Sequence, residues 1–231
     1  MPEFYEIRIY RVYDFDKQTQ LEAWMQTALM PALGRLGIKN VGVFRNQGDA
    51  NDHSQFMVIP YESLDQFSQL NIKLAADKEF SEASQAWFDQ KMKDPVYKRV
   101  DSWITQAFDG IPKMEVPAFT KSAERVYELR LYESHNMDSA RRKVAMFDNG
   151  ETQLMRDVKL GPVFFGRTLA GPDSPNLIYM TGAENAEAHA AHWKAFISSD
   201  GWAGMKDLPE YANTVSKIQK WILKPTEFSQ L

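Results

Sequence analysis

The hexapeptide pattern Tyr-Glu-aliphatic-Arg-aliphatic-Tyr is written twice in this chain of 231 residues, as YEIRIY from Tyr5 to Tyr10 and as YELRLY from Tyr127 to Tyr132. A repeat of this length restricts the fold more than any local propensity, because two copies of one unit must bury their faces in equivalent ways. The offset is regular: Tyr5 and Tyr127, Arg8 and Arg130, and Arg45 and Arg167 are each 122 positions apart. Trp103 and Trp221 close the two copies at a slightly shorter offset.

Around each copy the periodicities run in the same order. Tyr5, Ile7 and Ile9 alternate with Glu6, Arg8 and Tyr10, the period-two signature of a strand. From Lys17 to Leu36 the apolar residues recur at helical spacing, with Pro31 as a kink and Gly37 as a stop. VGVFR and SQFMVIPY flank the turn-rich NQGDANDH and predict a hairpin. Ser63 caps a second helix, Asp94-Pro95 breaks the helical stretch that follows it, and RVDSWITQAF is a closing strand. After Val126 the same series returns: YELRLY, a helix over 138–158, the strands GPVFFGRT and NLIYMTG around LAGPDSP, a helix capped by Asn185, and TVSKIQKWILKP. The order strand, helix, strand, strand, helix, strand is that of a ferredoxin-like split βαβ unit. The expected fold is therefore α+β: two tandem ferredoxin-like modules with antiparallel sheets, residues 1–110 and 125–231, joined by a linker over 111–124.

Such a module covers one sheet face with helices and leaves the other bare, so two bare faces are expected to meet. On that reading the aliphatic set of each first strand faces the helices. Glu6, Arg8, Tyr10, Glu128, Arg130 and Tyr132, with Arg45 and Arg167 from the hairpins, then line the enclosed space between the sheets. Two roles are open to them. Arg offers a forked donor and Tyr a hydroxyl on a flat ring, a set suited to a small anionic or aromatic ligand. The plainer role is internal pairing, Glu6 with Arg8 and Glu128 with Arg130.

Several classes are excluded or unsupported. Without cysteine there is no disulfide, thiolate nucleophile or thiolate-bound metal. The net charge of -4 and the lack of basic runs argue against nucleic acid. No signal-peptide pattern and no membrane-length apolar run is present, so a cytoplasmic protein without membrane insertion is expected. The glycines match neither a P-loop nor a dinucleotide fingerprint, and no cofactor is expected. His189 and His192 have the i, i+3 spacing of metal ligands but no third partner, and they read as helix-surface residues; no metal is expected. His53 and His135 fall in loops, and the tryptophans sit at core positions.

The strands YEIRIY and YELRLY, the segment AFISSDGW and the closing ILKPTEFSQL together resemble the NIPSNAP family of the dimeric α/β-barrel superfamily, most specifically over 126–231. The resemblance implies a barrel, closed within one chain or between chains, and a homo-oligomer; it implies no particular reaction. Three functions stay open: a protein binding a small molecule in the barrel interior, a cofactor-independent monooxygenase-type enzyme, and a structural or interaction protein without a ligand.

Overall fold

The computed structural model describes residues 1–231. Its first half runs β1 (Phe4–Val12), α1 (Phe15–Trp24), a π-helical turn (Met25–Leu29), α2 (Met30–Arg35), β2 (Gly42–Asn46), β3 (Gln55–Tyr61), α3 (Leu64–Ala76), α4 (Lys78–Ala83), α5 (Gln85–Phe88) and β4 (Tyr97–Ala107). The second runs β5 (Val126–Glu133), α6 (Met137–Met146), a π-helical turn (Phe147–Glu151), α7 (Thr152–Asp157), β6 (Pro162–Ala170), β7 (Asn176–Ala183), α8 (Ala186–Ile197), α9 (Asp200–Lys206) and β8 (Lys217–Pro225). Helix starts follow the capping side chains: Ser63 accepts from the Gln66 amide and Asn185 from the Ala188 amide, satisfying donors that the first turn leaves free.

All eight strands close into one antiparallel barrel in the order β1-β3-β2-β8-β5-β7-β6-β4. Residues 4–107 contribute β4-β1-β3-β2 and residues 126–225 contribute β8-β5-β7-β6. The seams between them are the pairs β2–β8 and β4–β6. Closure therefore takes place within a single chain and leaves no open sheet edge. No helix is long and apolar enough to cross a membrane.

The barrel interior overturns the expected placement of the repeated triplets. Tyr5, Ile7 and Ile9 of β1 point inward and pack with Leu129 and Leu131 of β5, Phe44, Phe56, Phe164, Ile178 and Met180 in one core built from both halves. Tyr5 lies 4.9 Å from Phe164 and Phe44 lies 5.0 Å from Tyr127, ring to ring across the halves. Glu6, Arg8, Tyr10, Glu128, Arg130 and Tyr132, which alternate with this inward set, occupy the outer face beneath the helices. The reason is the width of an eight-stranded barrel: its interior is just wide enough for side chains to fill, and charged groups there would be buried without solvent.

The layers between sheet and helices form two further cores. One gathers Leu21, Met25, Leu29, Leu33 and Leu70 onto Tyr10, Met57, Ile59 and Tyr61; the other gathers Phe147, Met155 and Phe196 onto Tyr132, Phe165 and Tyr179. The two π-helical turns fall at equivalent places, Met25 and Phe147 being 122 positions apart. Periodicity predicts one continuous helix in each place. What interrupts the second is Gly150, whose φ of 151° is open to glycine alone among common residues.

Candidate functional site

The Glu-Arg-Tyr triplets have the same sheet register in both halves and opposite surroundings. In the first half Glu6 lies opposite Ile59 and Ile104, and Arg8 opposite Ser102. Four donors saturate the Glu6 carboxylate: Arg8 Nε at 2.7 Å, Arg8 Nη2 at 2.8 Å, Tyr61 Oη at 2.8 Å and Ser102 Oγ at 3.0 Å. Burial pushes its pKa up, but Arg8, Tyr61 and Ser102 outweigh burial and hold it below the usual carboxylate value. The space above the triplet is filled. Trp24 stacks on Trp87 at 4.4 Å, Trp87 meets Tyr97, and Tyr97 meets Tyr10.

In the second half the same layer is open. A cavity of about 790 Å³ lies between β5 and β8 on one side and α6, α8 and α9 on the other. Its floor is Glu128, Arg130 and Tyr132, its aromatic wall is Trp193, Phe196 and Trp202, and Ile197, Ile218, Lys194 and Lys220 stand around it. Arg130 Nη1 donates to Tyr132 Oη at 3.1 Å, and Tyr132 shares a 2.8 Å hydrogen bond with Tyr179. Burial raises the Tyr179 pKa well above its ordinary value, so this phenol stays protonated. The Arg130 guanidinium lies over the Trp193 ring, 3.7 Å from its centroid, and its Nη2 is 2.9 Å from Glu128 Oε1.

Two charged pairs of different kinds stand in this cavity. Lys143 Nζ, beneath α6, donates to Glu151 Oε2 at 2.7 Å, with both side chains almost fully buried. Burial raises the Glu151 pKa although Lys143 opposes it. The equivalent first-half positions hold Leu21 and Leu29. A buried ion pair where the other half has two leucines brings a desolvation cost on the open side alone. The second pair is Glu128 with Arg130, and it is incompletely satisfied: Glu128 Oε2 and Arg130 Nε are both buried without a hydrogen-bond partner.

His189 completes the ring around Glu128. It projects from α8, is 7% exposed, and brings Nε2 to 3.4 Å from Glu128 Oε2. Trp193 Nε1, which can only donate, gives its hydrogen to the same Nε2 at 3.2 Å, so the ring proton resides on Nδ1. Burial holds the His189 pKa below its ordinary value, with Arg130 and His192 adding to the effect and Glu128 opposing it.

Of the residues singled out from the sequence, Glu128, Arg130 and Tyr132 come together in the open cavity, and Glu6, Arg8 and Tyr10 come together in the filled one. Arg45 does not join either. It pairs with Glu22 through both carboxylate oxygens and borders a separate, polar cavity of about 450 Å³. Arg167 is exposed and donates to Gln106. His189 is a buried cavity residue, against its reading as helix surface, while His192 borders a different cleft. His53 and His135 stay in loops apart from the cavity. Lys143, Glu151 and Trp202 are site residues that periodicity missed; the one signal was the contrast between Lys143 and Glu151 and their counterparts Leu21 and Leu29.

Comparison with solved structures gives the fold of the whole chain. A proposed monooxygenase from Lactobacillus acidophilus matches with a TM-score of 0.63 at 10% identity, over 97% of this chain and 94% of that one. A proposed monooxygenase from Fusobacterium nucleatum matches with a TM-score of 0.62 at 7% identity, over 97% and 92%. An anthrone oxidase-like protein matches with a TM-score of 0.55 at 11% identity, over 98% and 92%. At such identities the likeness is one of fold, a mixed α/β architecture around a closed antiparallel barrel. No curated protein sequence matches the chain. The NIPSNAP family model matches residues 127–230, the stretch that contains β5 to β8 and every residue of the open cavity, and supports that family for this half of the chain.

Proposed function

We propose that the protein is a NIPSNAP-like binder of a small aromatic or anionic molecule, and that the ligand enters the cavity between sheet and helices of the second half. The observation that carries this reading is the contrast between two triplets of one sequence. Glu6-Arg8-Tyr10 is hydrogen-bonded and covered by aromatic rings, whereas Glu128-Arg130-Tyr132 forms the floor of a cavity of about 790 Å³. Concave sites with aromatic walls and a few convergent polar groups are the usual form of small-molecule sites. Trp193, Phe196 and Trp202 suit a flat ring. Lys194 and Lys220, exposed at the rim and outside every ion pair of the chain, suit an anionic substituent.

On this reading the halves are copies of one ferredoxin-like βαββαβ module, of which one has become a filled structural half and the other has kept a site. The self-association that the family resemblance implies is not needed for closure, since all eight strands close within one chain.

The test is a thermal-shift screen of the full chain against small aromatic acids and phenols, beside the variant Ala190→Trp. Ala190 lies on α8 at the cavity, exposed, so an indole placed there narrows the space and obstructs a ring against the aromatic wall. Ligands that bind the cavity raise the midpoint of the wild type by mass action and leave the variant unchanged. Equal shifts in both proteins reject the site.

A second reading, a cofactor-independent monooxygenase-type enzyme, draws support from the Glu128 Oε2 lone pair, a basic atom beside the neutral His189, and from the fold shared with two proposed monooxygenases. Glu128 would take the proton of an oxidisable aromatic substrate. Oxygen uptake on mixing enzyme with such a substrate, lost in Glu128→Gln, separates the enzyme from a binder.

A further inference from the structure

The first half states what a complete version of the Glu128 site contains. Equivalent positions follow from the register: Tyr61 lies opposite Phe4 as Ala183 lies opposite Val126, and Ser102 lies opposite Arg8 as Lys220 lies opposite Arg130. The two hydroxyl groups that donate to Glu6 thus correspond to a methyl group and to an exposed lysine. Arg8 also binds Glu6 through two parallel hydrogen bonds, while Arg130 is rotated onto Trp193 and approaches Glu128 by Nη2 alone. Two unpartnered atoms result, the acceptor Glu128 Oε2 and the donor Arg130 Nε, both buried and both on residues that line the cavity.

His189 does not repair the acceptor. Its Nε2 is 3.4 Å from Oε2, but that lone pair already receives the Trp193 N–H at 3.2 Å. Glu128 is 2% exposed, so an unpaired carboxylate oxygen there carries most of its desolvation penalty.

We infer that the ligand carries an aromatic hydroxyl group, which donates to Glu128 Oε2 in the place of the missing Tyr61 hydroxyl. This rests on the cavity reading above and narrows it. A hydroxyl is a neutral donor, as the Tyr61 and Ser102 hydroxyls are to Glu6, and brings no second charge to a site that already holds Glu128, Arg130 and Lys143. A carboxylate in the same position only accepts and meets the Glu128 charge. An ammonium only donates and meets Arg130 and Lys143. The ring that bears the hydroxyl is set by the wall of Trp193, Phe196 and Trp202, and any anionic substituent belongs at the Lys194 and Lys220 rim, away from the floor.

Calorimetric titration of the full chain with 1-naphthol, 1-methoxynaphthalene and 1-naphthoate tests this. The ring is constant and the polar group changes from donor-acceptor to acceptor only to anion. The expected order puts 1-naphthol first, its Kd lower than that of the methyl ether by about tenfold or more, the usual effect of a hydrogen bond to a charged acceptor. Glu128→Gln, which keeps the shape and removes the charge, narrows that ratio; the wild-type comparison stands even if this variant fails to fold. Equal binding of naphthol and ether, as when water serves Oε2 equally well, overturns the hydroxyl assignment and leaves the cavity reading in place, and so does tighter binding of naphthoate. No binding by any of the three, together with no Ala190-sensitive shift in the wider screen, removes both.

Discussion

Glu128 and Glu6 are the same residue in the same register, and their difference is made by neighbours. Four donors around Glu6 hold its carboxyl low, so its contribution to stability is present above its ordinary value of 4.5 and is lost as pH falls through the lower folded value. His189 acts in a separate window. Burial holds its pKa below the ordinary 6.5, so as pH falls through 6.5 the unfolded chain binds a proton that the folded chain refuses, and stability declines until the folded value is passed. Glu151, raised by burial, works in the opposite direction, since the folded state keeps its proton longer as pH rises. Comparing wild type with His189→Gln isolates the imidazole: between about pH 7.5 and about pH 5.5 the wild-type midpoint should fall further than that of the variant. Parallel melting curves would show that His189 is not neutral in the fold.

At the scale of elements, the two long helices after β1 and β5 are each broken by a π-helical turn, and such turns occur often at functional sites. The second presents Glu151 to Lys143, where the first presents Leu29 beside Leu21. Lys143→Leu alone leaves a buried carboxylate unpaired and should cost about 3–5 kcal/mol in chemical denaturation. Lys143→Leu with Glu151→Leu restores the first-half pattern and should recover all or more of that loss, because an apolar pair has no desolvation penalty. If the double variant is as unstable as the single one, the pair is structural in a way the first half does not reproduce. Ligand binding separates the roles further: a stable double variant with weakened binding places the pair in the site's electrostatics.

For the whole molecule the decisive feature is the closed barrel, whose interior belongs to neither half. Phe164, fully buried against Tyr5 across the halves, should cost about 3–5 kcal/mol as Phe164→Ala, in the range of large core deletions. Residues 1–110 or 125–231 produced alone expose Tyr5, Ile7 and Ile9 or Leu129, Leu131 and Phe164, together with two unpaired strand edges. Each should associate or precipitate on its own, and mixing the two should restore a single soluble complex, measured by light scattering. A stable, soluble monomer from either half would contradict the shared core.

The order of strands and helices along the chain, the helix caps and the positions of the two hairpins could be read from period, capping residues and turn chemistry, because these are properties of a few consecutive residues. The pairing of Glu6 with Arg8 and of Glu128 with Arg130 was also legible, since residues two apart on a strand share a face. Which face was not: Tyr5, Ile7 and Ile9 alternate with Glu6, Arg8 and Tyr10 equally well in either orientation, and period two carries no direction. Closure decided it, by making one face of every strand a buried interior that takes the aliphatic and aromatic set, with Thr105 admitted because its hydroxyl donates to the Tyr5 carbonyl. Closure and the helix packing also decided which triplet is open, for Trp87 and Tyr97 reach Arg8's layer only in three dimensions, and the missing counterparts of Tyr61 and Ser102 lie on strands remote from Glu128 in the chain. Local pattern thus determined the elements and their order, and the tertiary fold alone determined the inside, the outside and the site, because burial is a property of all the strands together.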